Sequence, residues 1–182
     1  NKLITHPMKN SFLINDRIYL RPVEPEDLDI MYVMENDPAF WEISCLTVPY
    51  SRYILKEYIE NSQSDMYADK QIRLMIIRRD DEVTLGTIDI TDYAPLHGRG
   101  AVGIGLLEPY RGMGYAADAL ALLCEYAFEF LRFKQLYAHI PADNEASLKL
   151  FAGNGFEQSG LLKSWLVSGQ SYKDVVIMQR IV

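Results

Sequence analysis

The 182-residue sequence predicts an α/β (α+β) fold, in which a mixed and mostly antiparallel sheet of about seven strands carries helices on both faces. Two observations lead to this prediction. Three consecutive strand-like segments precede a single strand-helix-strand unit, which excludes a repeating βαβ protein. No internal repeat and no linker rich in Pro, Gly or Ser divides the chain. We therefore expect residues 11–182 to form a single domain, and residues 1–10 to form a tail that is disordered or derived from expression.

The first third of the chain predicts one strand followed by two helices. The segment RIYLRPV, residues 17–23, has the β-branched and aromatic content of a strand. Pro25 and the acidic residues beside it are typical of the first turn of a helix, which we expect over residues 24–36. A second helix is expected over residues 51–62, with Ser51 as its N-cap.

Three strands and a long helix are predicted next. Residues 71–79, 82–91 and 101–107 are rich in β-forming side chains, and the RDDE segment between the first two indicates a hairpin turn. The helix that follows Gly114 is expected to lay one apolar face on the sheet. That face is made of Ala116, Leu120, Leu123, Ala127, Phe130 and Leu131.

The last third of the chain predicts a buried strand, a short helix and a hairpin. The strand covers residues 135–142, and we interpret His139, which alternates with Ala138, as structural. The helix covers residues 144–155. Ser168 and Gly169 mark the turn between the two terminal strands.

Composition and charge exclude several classes of function. A net charge of -7 argues against binding to nucleic acid, which requires a basic face. No apolar run approaches the ~18 residues of a membrane span, so we expect no membrane association. Cys45 and Cys124 have neither the number nor the spacing for a disulfide framework or a zinc site. We therefore expect no metal site and a reducing, cytoplasmic location.

The segment LLEPYRGMGYAADALALL, residues 106–123, joins an apolar strand to a long helix through two glycines. Gly112 and Gly114 let the main chain approach a ligand closely, and Arg111 adds a positive charge. Because a helix N-terminus presents unpaired N–H groups and the positive end of its dipole, the junction predicts a phosphate site. A tight turn beside a solvated arginine is the open alternative.

Two known phosphate motifs fit this junction poorly. The nucleotide P-loop, with its glycine-lysine pair, does not occur in the chain. The dinucleotide fingerprint matches GMGYAA loosely, but its acidic residue is expected roughly 20 positions on and Asp143 lies too far along the chain.

At these residues the chain resembles the GNAT superfamily of acyl-CoA-dependent N-acyltransferases. The family's pyrophosphate loop is R/Q-x-x-G-x-G/A, and RGMGYA, residues 111–116, matches it. The segment DNEASLKLFAGNGF, residues 143–156, is similar to a later family segment, and the order of elements is similar over nearly the whole chain. The stretches RIYLRPVEPEDLD and GQSYKDVVIM look like the branch with ribosomal-protein N-terminal acetyltransferases and spermidine acetyltransferases.

The resemblance implies that acetyl-CoA or coenzyme A binds between two central parallel strands. The main chain of the loop would hold the pyrophosphate, through Arg111, Gly112, Met113, Gly114, Tyr115 and Ala116. Leu106 and Leu107 would pair with the pantetheine arm. The wedge between the strands would be lined by Asn144, Ser147 and Phe151. The resemblance also leads us to expect a homodimer.

Two positions depart from the family pattern. Many relatives use a tyrosine as the general acid where this chain has Phe151, and the glutamate found in the strand before the loop corresponds to Ala101. The catalytic residues are therefore left open. Candidate replacements are Asp89 and Asp92 for the base and Tyr172 or Tyr115 for the acid, with ordinary surface or core roles as the alternative.

The missing base bears on the choice of acceptor. Deprotonating an ammonium of pKa ~10.4 costs about 4.6 kcal/mol at pH 7, whereas a chain N-terminus with a pKa of ~7.8 costs about 1 kcal/mol. We therefore predict an acetyl-CoA-dependent N-acetyltransferase for a primary amine, with the N-terminal amine of a peptide or protein preferred. The alternatives are a spermidine or spermine acetyltransferase and a catalytically silent acyl-CoA-binding module.

Several further residues are expected near the acceptor. His97 is interpreted as a solvated loop residue rather than a general base. An aromatic rim, or else ordinary core, is expected from Trp41, Trp165 and Tyr93. An acidic patch suited to a polyamine would form if Glu35, Asp37 and Glu42 converged.

Overall fold

A computed structural model describes residues 12–38, 40, 48–62 and 65–182. The expected tail, residues 1–10, lies outside the described residues, as do Trp41, Glu42 and Cys45. The described strands are β1 (Ile18–Pro22), β2 (Ile72–Arg78), β3 (Thr84–Ala94), β4 (Arg99–Leu106), β5 (Gln135–Pro141), β6 (Glu157–Ser168) and β7 (Ser171–Ile181). They form one sheet in the order β1-β2-β3-β4-β5-β7-β6.

The predicted fold class is confirmed by the directions of these strands. Every described pair of neighbours is antiparallel except β4 and β5, which run parallel at the centre of the sheet. The antiparallel hairpins follow from short connections, whereas the parallel pair needs the long helical crossover between residues 106 and 135.

The described helices are α1 (Leu28–Glu35), α2 (Arg52–Asn61), α3 (Met66–Asp69), α4 (Tyr115–Glu125) and α5 (Glu145–Gly153). Residues Pro25–Asp27 form a 3-10 turn before α1. Ser51 caps α2 as predicted, because its side chain accepts a hydrogen bond of 3.1 Å from Ile54 N. None of the described helices is long and apolar enough to cross a membrane.

The two faces of the sheet carry different helices. The α4 residues Ala119, Leu120 and Leu123 are buried in one core together with Ile88 and Ile90 of β3. Since successive strand residues point to opposite faces, Thr87 and Asp89 lie on the other face, where they share a cavity with Met34 of α1. The sheet is therefore covered by α4 on one side and by α1 on the other.

The end of the long helix differs from the predicted pattern. Residues Tyr126–Phe130 form a π-helical turn, in which Leu131 N donates to Tyr126 O at 3.0 Å. A π turn is wider than an α turn, so the spacing of 100° per residue no longer holds after Glu125. Phe130, which we predicted on the buried face, is consequently 59% exposed and stacks on Tyr126.

The parallel pair opens into a wedge. Pairing joins Arg99–Ala101 to Gln135–Tyr137, and no further β4–β5 pairing occurs in the described chain. The later residues of the two strands diverge, although both strands remain paired on their outer sides, to β3 and β7. The wedge therefore leaves unpaired main chain and a gap at the middle of the sheet, directly before the glycine loop.

Candidate active site

The glycine loop has a conformation that suits an anion site. Gly112 and Gly114 have φ angles of +75° and +84°, a region that side chains other than glycine rarely adopt. Gly114 is the N-cap of α4, and Asp118 N donates to its carbonyl at 3.2 Å. The N–H groups of residues 112–117 have no hydrogen-bond partner among the described residues. They remain available to an anionic ligand at the positive end of the helix.

Arg17, which the sequence analysis missed, holds this loop in place. Its Nη1 donates to Met113 O at 3.1 Å, and its Nε donates to Asp118 Oδ2 at 2.8 Å. The guanidinium also lies 4.5 Å from the ring centroid of Tyr115. No local sequence signal points to this role, since Arg17 and the loop are about a hundred residues apart and meet only in the folded chain.

The N–H of Leu107 points away from the wedge, toward β3. Leu107 N donates to Leu85 O and Leu107 O accepts from Tyr110 N. The structure therefore does not favour Leu107 as a main-chain partner of pantetheine. Antiparallel alternation turns the main chain of Ile104 and Leu106 toward the wedge instead. The carbonyl of Leu106 accepts from Arg111 Nε at 3.0 Å, which keeps that cation beside the loop.

A cavity of about 260 Å³ occupies the wedge. Its walls include side chains from both faces of the sheet, which shows that the cavity passes between β4 and β5. On the face of α4 and α5 the lining includes Val102, Ser147 and Phe151. On the face of α1 it includes Asp89 and His139. A ligand in the cavity would thus connect the loop side with the α1 side.

Glycines in β4 make room on the α1 side. Gly103 lies opposite Asp89 in the β3–β4 register, and a Cβ on Gly103 would meet only Asp89 Oδ2, at 4.0 Å. A Cβ on Gly105 would lie 2.6 Å from the ring of Phe40, so a side chain there would require that ring to move. We call the strip of small residues Ala101, Gly103 and Gly105 on this face of β4 the trough.

One wall of the trough is a charged cluster, defined here as Glu35, Arg73 and Asp89. Arg73 donates to both oxygens of Asp89, at 3.0 and 2.9 Å, and forms an ion pair with Glu35. The three side chains are only 16% to 22% exposed. Burial lowers the pKa of the Arg73 guanidinium, but the charges of Asp89 and Glu35 outweigh burial and raise the pKa above its usual value. The guanidinium therefore stays charged between the two carboxylates.

The opposite wall carries His139. We predicted a structural role for this residue, but the structure places it exposed in the lining of the cavity. Its neighbours Ala138 and Ile140 are buried on the other face, as strand alternation requires. An exposed polar residue between two buried ones was the available signal, but the sequence alone did not show that this face borders a cavity.

The catalytic candidates are distributed unevenly. Asp89 lines the cavity, whereas Asp92, Tyr115 and Tyr172 are absent from its lining. Tyr172 is 64% exposed near the β6–β7 turn. Asp92 has a φ of +50° at the irregular end of the β3–β4 pairing. The structure thus brings one of these four candidates to the cavity.

Phe151 and Ser147 line the cavity, whereas Asn144, which was predicted beside them, is absent from its lining. Phe151 is 3% exposed and packs edge-on against Phe156 while it lines the cavity. Asn144 caps α5 by accepting from Ser147 N at 3.1 Å, and Ser147 lines the cavity. A phenyl ring at position 151 fills space but has no proton to donate.

The expected acceptor rim does not assemble from the described residues. Tyr93 is a core residue that stacks on Phe133 at 4.9 Å, and Trp165 is 58% exposed on β6. His97 is exposed in its loop and absent from the cavity lining. Of the two described acidic residues expected to converge, Glu35 reaches the cavity and Asp37 is absent from its lining.

The loop, wedge and trough together suit coenzyme A. The unpaired N–H groups of residues 112–117 can receive a pyrophosphate, and the main chain of Ile104 can pair with an amide-bearing arm. The trough over Gly103 then leaves space for a thioester and an amine. Bound acetyl-CoA would supply the acyl group to be transferred.

Comparisons with known proteins agree with this geometry. The acetyltransferase (GNAT) domain model matches residues 17–157. The uncharacterised N-acetyltransferase p20 of Bacillus licheniformis is 26% identical over 84% of this chain and 86% of its own length. Spermidine N-acetyltransferase from Vibrio cholerae, in complex with CoA and spermine, has a TM-score of 0.81 and 20% identity over 92% of this chain and 96% of its own. This chain belongs to the GNAT acetyltransferase family, whose members use acetyl-CoA.

Proposed function

We propose that this N-acetyltransferase transfers the acetyl group of acetyl-CoA to the α-amino group of a peptide or protein. The observation that carries the proposal is the charged cluster on the trough wall. Glu35 and Asp89 place two carboxylates on the wall that a bound amine would face. Carboxylates attract the ammonium form of an amine and can hold it beside the thioester.

The cost of deprotonation supports the same acceptor. At neutral pH the neutral, attacking form of an amine with pKa ~7.8 is about 400 times more abundant than that of an amine with pKa ~10.4. The chain has neither a tyrosine at position 151 nor a glutamate at position 101. An acceptor that loses its proton easily places the smallest demand on such a site.

A polyamine is the second candidate, and a specific observation favours it. The neighbour from Vibrio cholerae is a spermidine N-acetyltransferase with bound spermine, and the two chains share the fold. The carboxylates of the charged cluster also attract any ammonium. Against this candidate, a polyamine ammonium with a pKa of ~10.4 costs about 4.6 kcal/mol to deprotonate at pH 7.

The test is thiol release from acetyl-CoA with a matched set of acceptors. Peptides that begin with Ser or Ala and contain one internal lysine are compared with the same peptides blocked at the N-terminus, and with spermidine, spermine and free lysine. We expect release with the free peptides and loss of release when the N-terminus is blocked.

Either of two results would overturn the proposal. Equal rates with free and blocked peptides would assign the reaction to the lysine side chain. A kcat/KM for spermidine or spermine more than about tenfold above that of the peptides would assign it to polyamines. Coenzyme binding without thiol release from any acceptor would instead favour a silent acyl-CoA-binding module.

A cytoplasmic location and a homodimer stay predictions.

A further inference from the structure

Three strands place Asp89, Gly103 and His139 in one row across the trough. Asp89 pairs with Gly103 in the antiparallel β3–β4 register. Ala101 pairs with Tyr137 in the parallel β4–β5 register, so two residues further along Gly103 and His139 face each other across the wedge. Residues two apart share a face, and all three therefore face α1. Since Gly103 has no side chain, the space between the carboxylate and the imidazole is open.

The cavity offers few groups that exchange protons. Among the described residues, the titratable ones in its lining are Glu35, Arg73, Asp89 and His139. Arg73 pairs with both carboxylates, and the guanidinium itself stays charged. An imidazole is the side chain that ordinarily changes charge between pH 5 and 8. Of the described lining residues, His139 is the titratable side chain that stands outside the charged cluster.

Charged groups lie on both sides of His139. Its ring centroid lies 5.7 Å from that of Tyr137, and Ile177 is its partner on β7. Burial and the charge of Asp92 raise the pKa of Tyr137 against the opposing effect of Arg99, so this phenol stays protonated at neutral pH. Asp92 and Arg99 therefore lie near Tyr137 on this side, and Asp89, Arg73 and Glu35 line the cavity across the trough.

We propose that His139 is the general base of the acetyl transfer, and that the charged cluster holds the amine opposite it. The ammonium nitrogen gives one proton to the imidazole, and its freed electron pair forms the N–C bond with the thioester carbonyl carbon. The C–S bond breaks, the second proton of the nitrogen leaves with the thiol, and the imidazolium returns its proton to water. This inference rests on the proposed amine acetylation and holds for either acceptor.

The assignment also accounts for the missing glutamate at position 101. Ala101 is two residues from Gly103 along the same face of β4, one strand away from His139. A base on β5 can reach the same trough as a base on β4 would. The small residues of β4 then leave space for the acceptor, because a large side chain at position 103 would fill the gap between the amine and the imidazole.

The test compares His139→Gln with His97→Gln, a matched change at an exposed histidine outside the cavity. For His139→Gln we expect kcat/KM for the amine to fall about 100-fold, with loss of the rise in rate on the acidic side of the pH profile. Coenzyme A affinity, measured by calorimetry, should stay within twofold of the parent. His97→Gln should leave the rate, the pH profile and the affinity unchanged.

A second measurement does not depend on turnover. Coenzyme A without an acetyl group forms a dead-end complex with an N-terminally free peptide or with spermidine. In histidine-ring NMR spectra of this complex, we expect the His139 signal to move on addition of the amine and the His97 signal to stay. The His139 signal is identified by its loss in His139→Gln.

The outcomes separate this inference from the proposed function. An active parent enzyme with an equally active His139→Gln variant and an unchanged pH profile would overturn the role of His139 and leave amine acetylation standing. A parent enzyme silent with every acceptor would overturn the proposed function, and the NMR arm would then decide whether amine and imidazole meet. A His139 signal that does not respond to any amine would overturn the inference in that case as well.

Discussion

Replacing Gly114 with Glu tests whether the glycine loop holds the pyrophosphate of coenzyme A. Gly114 has a φ of +84° and caps the helix whose free N–H groups face the proposed ligand. The variant introduces a side chain where the backbone favours glycine, and it adds a negative charge at an anion site. We therefore expect a folded protein that has lost most of its affinity for coenzyme A.

We expect Gly114→Glu to lower both the stability of the protein and its affinity for coenzyme A. A side chain in the left-handed region costs roughly 1–2 kcal/mol, which lowers Tm by about 4 °C in a chain of this size. Two like charges about 5 Å apart at an effective dielectric constant of about 20 repel by about 3 kcal/mol. Salt reduces this repulsion, so we expect the affinity for coenzyme A to fall about 100-fold. The added Cβ lies 3.2 Å from Arg17 Nη2, which is flexible enough to move aside.

Two variants separate strain from charge. Gly114→Ala has the strain without the charge, and we expect its loss of affinity to stay below about tenfold. Gly169→Glu has the same change at a φ of +61° in the β6–β7 turn, where a Cβ meets no atom within 4 Å. It should lose similar stability and keep full affinity. The assay is calorimetry with coenzyme A beside thermal unfolding. A folded Gly114→Glu variant that binds within threefold of the parent would refute the reasoning.

Two further predictions concern stability. Arg73→Met leaves Glu35 and Asp89 without the cation that they share. Because the cluster is partly exposed, we expect the free energy of unfolding in urea to fall by about 2 kcal/mol, and to recover in part in Arg73→Met/Asp89→Asn. An unchanged urea midpoint in the single variant would contradict this prediction. Burial raises the pKa of the Cys124 thiol from 9.0 to about 11. The unfolded thiol therefore ionises first, and stability that is fully present below pH 9 is lost as the pH rises to 11. Urea titrations at successive pH values measure this loss of unfolding free energy, which we expect to be about 2 kcal/mol smaller in Cys124→Ala than in the parent. An equal loss in the parent and the variant would contradict the prediction.

Much of the fold followed from local sequence patterns. Ser51 was predicted as an N-cap and its side chain accepts from Ile54 N. The turn at Ser168 and Gly169 joins two strands as expected, and the glycine loop precedes α4. Caps, turns and strand alternation depend on residues a few positions apart, and their physics is therefore visible in the sequence. The π turn that exposes Phe130 was missed because apolar periodicity alone does not show a change of helical pitch.

The sequence by itself determined the order of the elements, the loop that resembles a pyrophosphate site, and the absence of the usual acid and base at positions 151 and 101. Only the tertiary structure decided what surrounds the acceptor. Arg73 of β2 meets Glu35 of α1 and Asp89 of β3. His139 reaches the trough because β4 and β5 separate beyond Ala101. These contacts depend on strand order and on register between distant segments. A one-residue shift in register would turn each of these side chains to the opposite face, so no local pattern could specify the site.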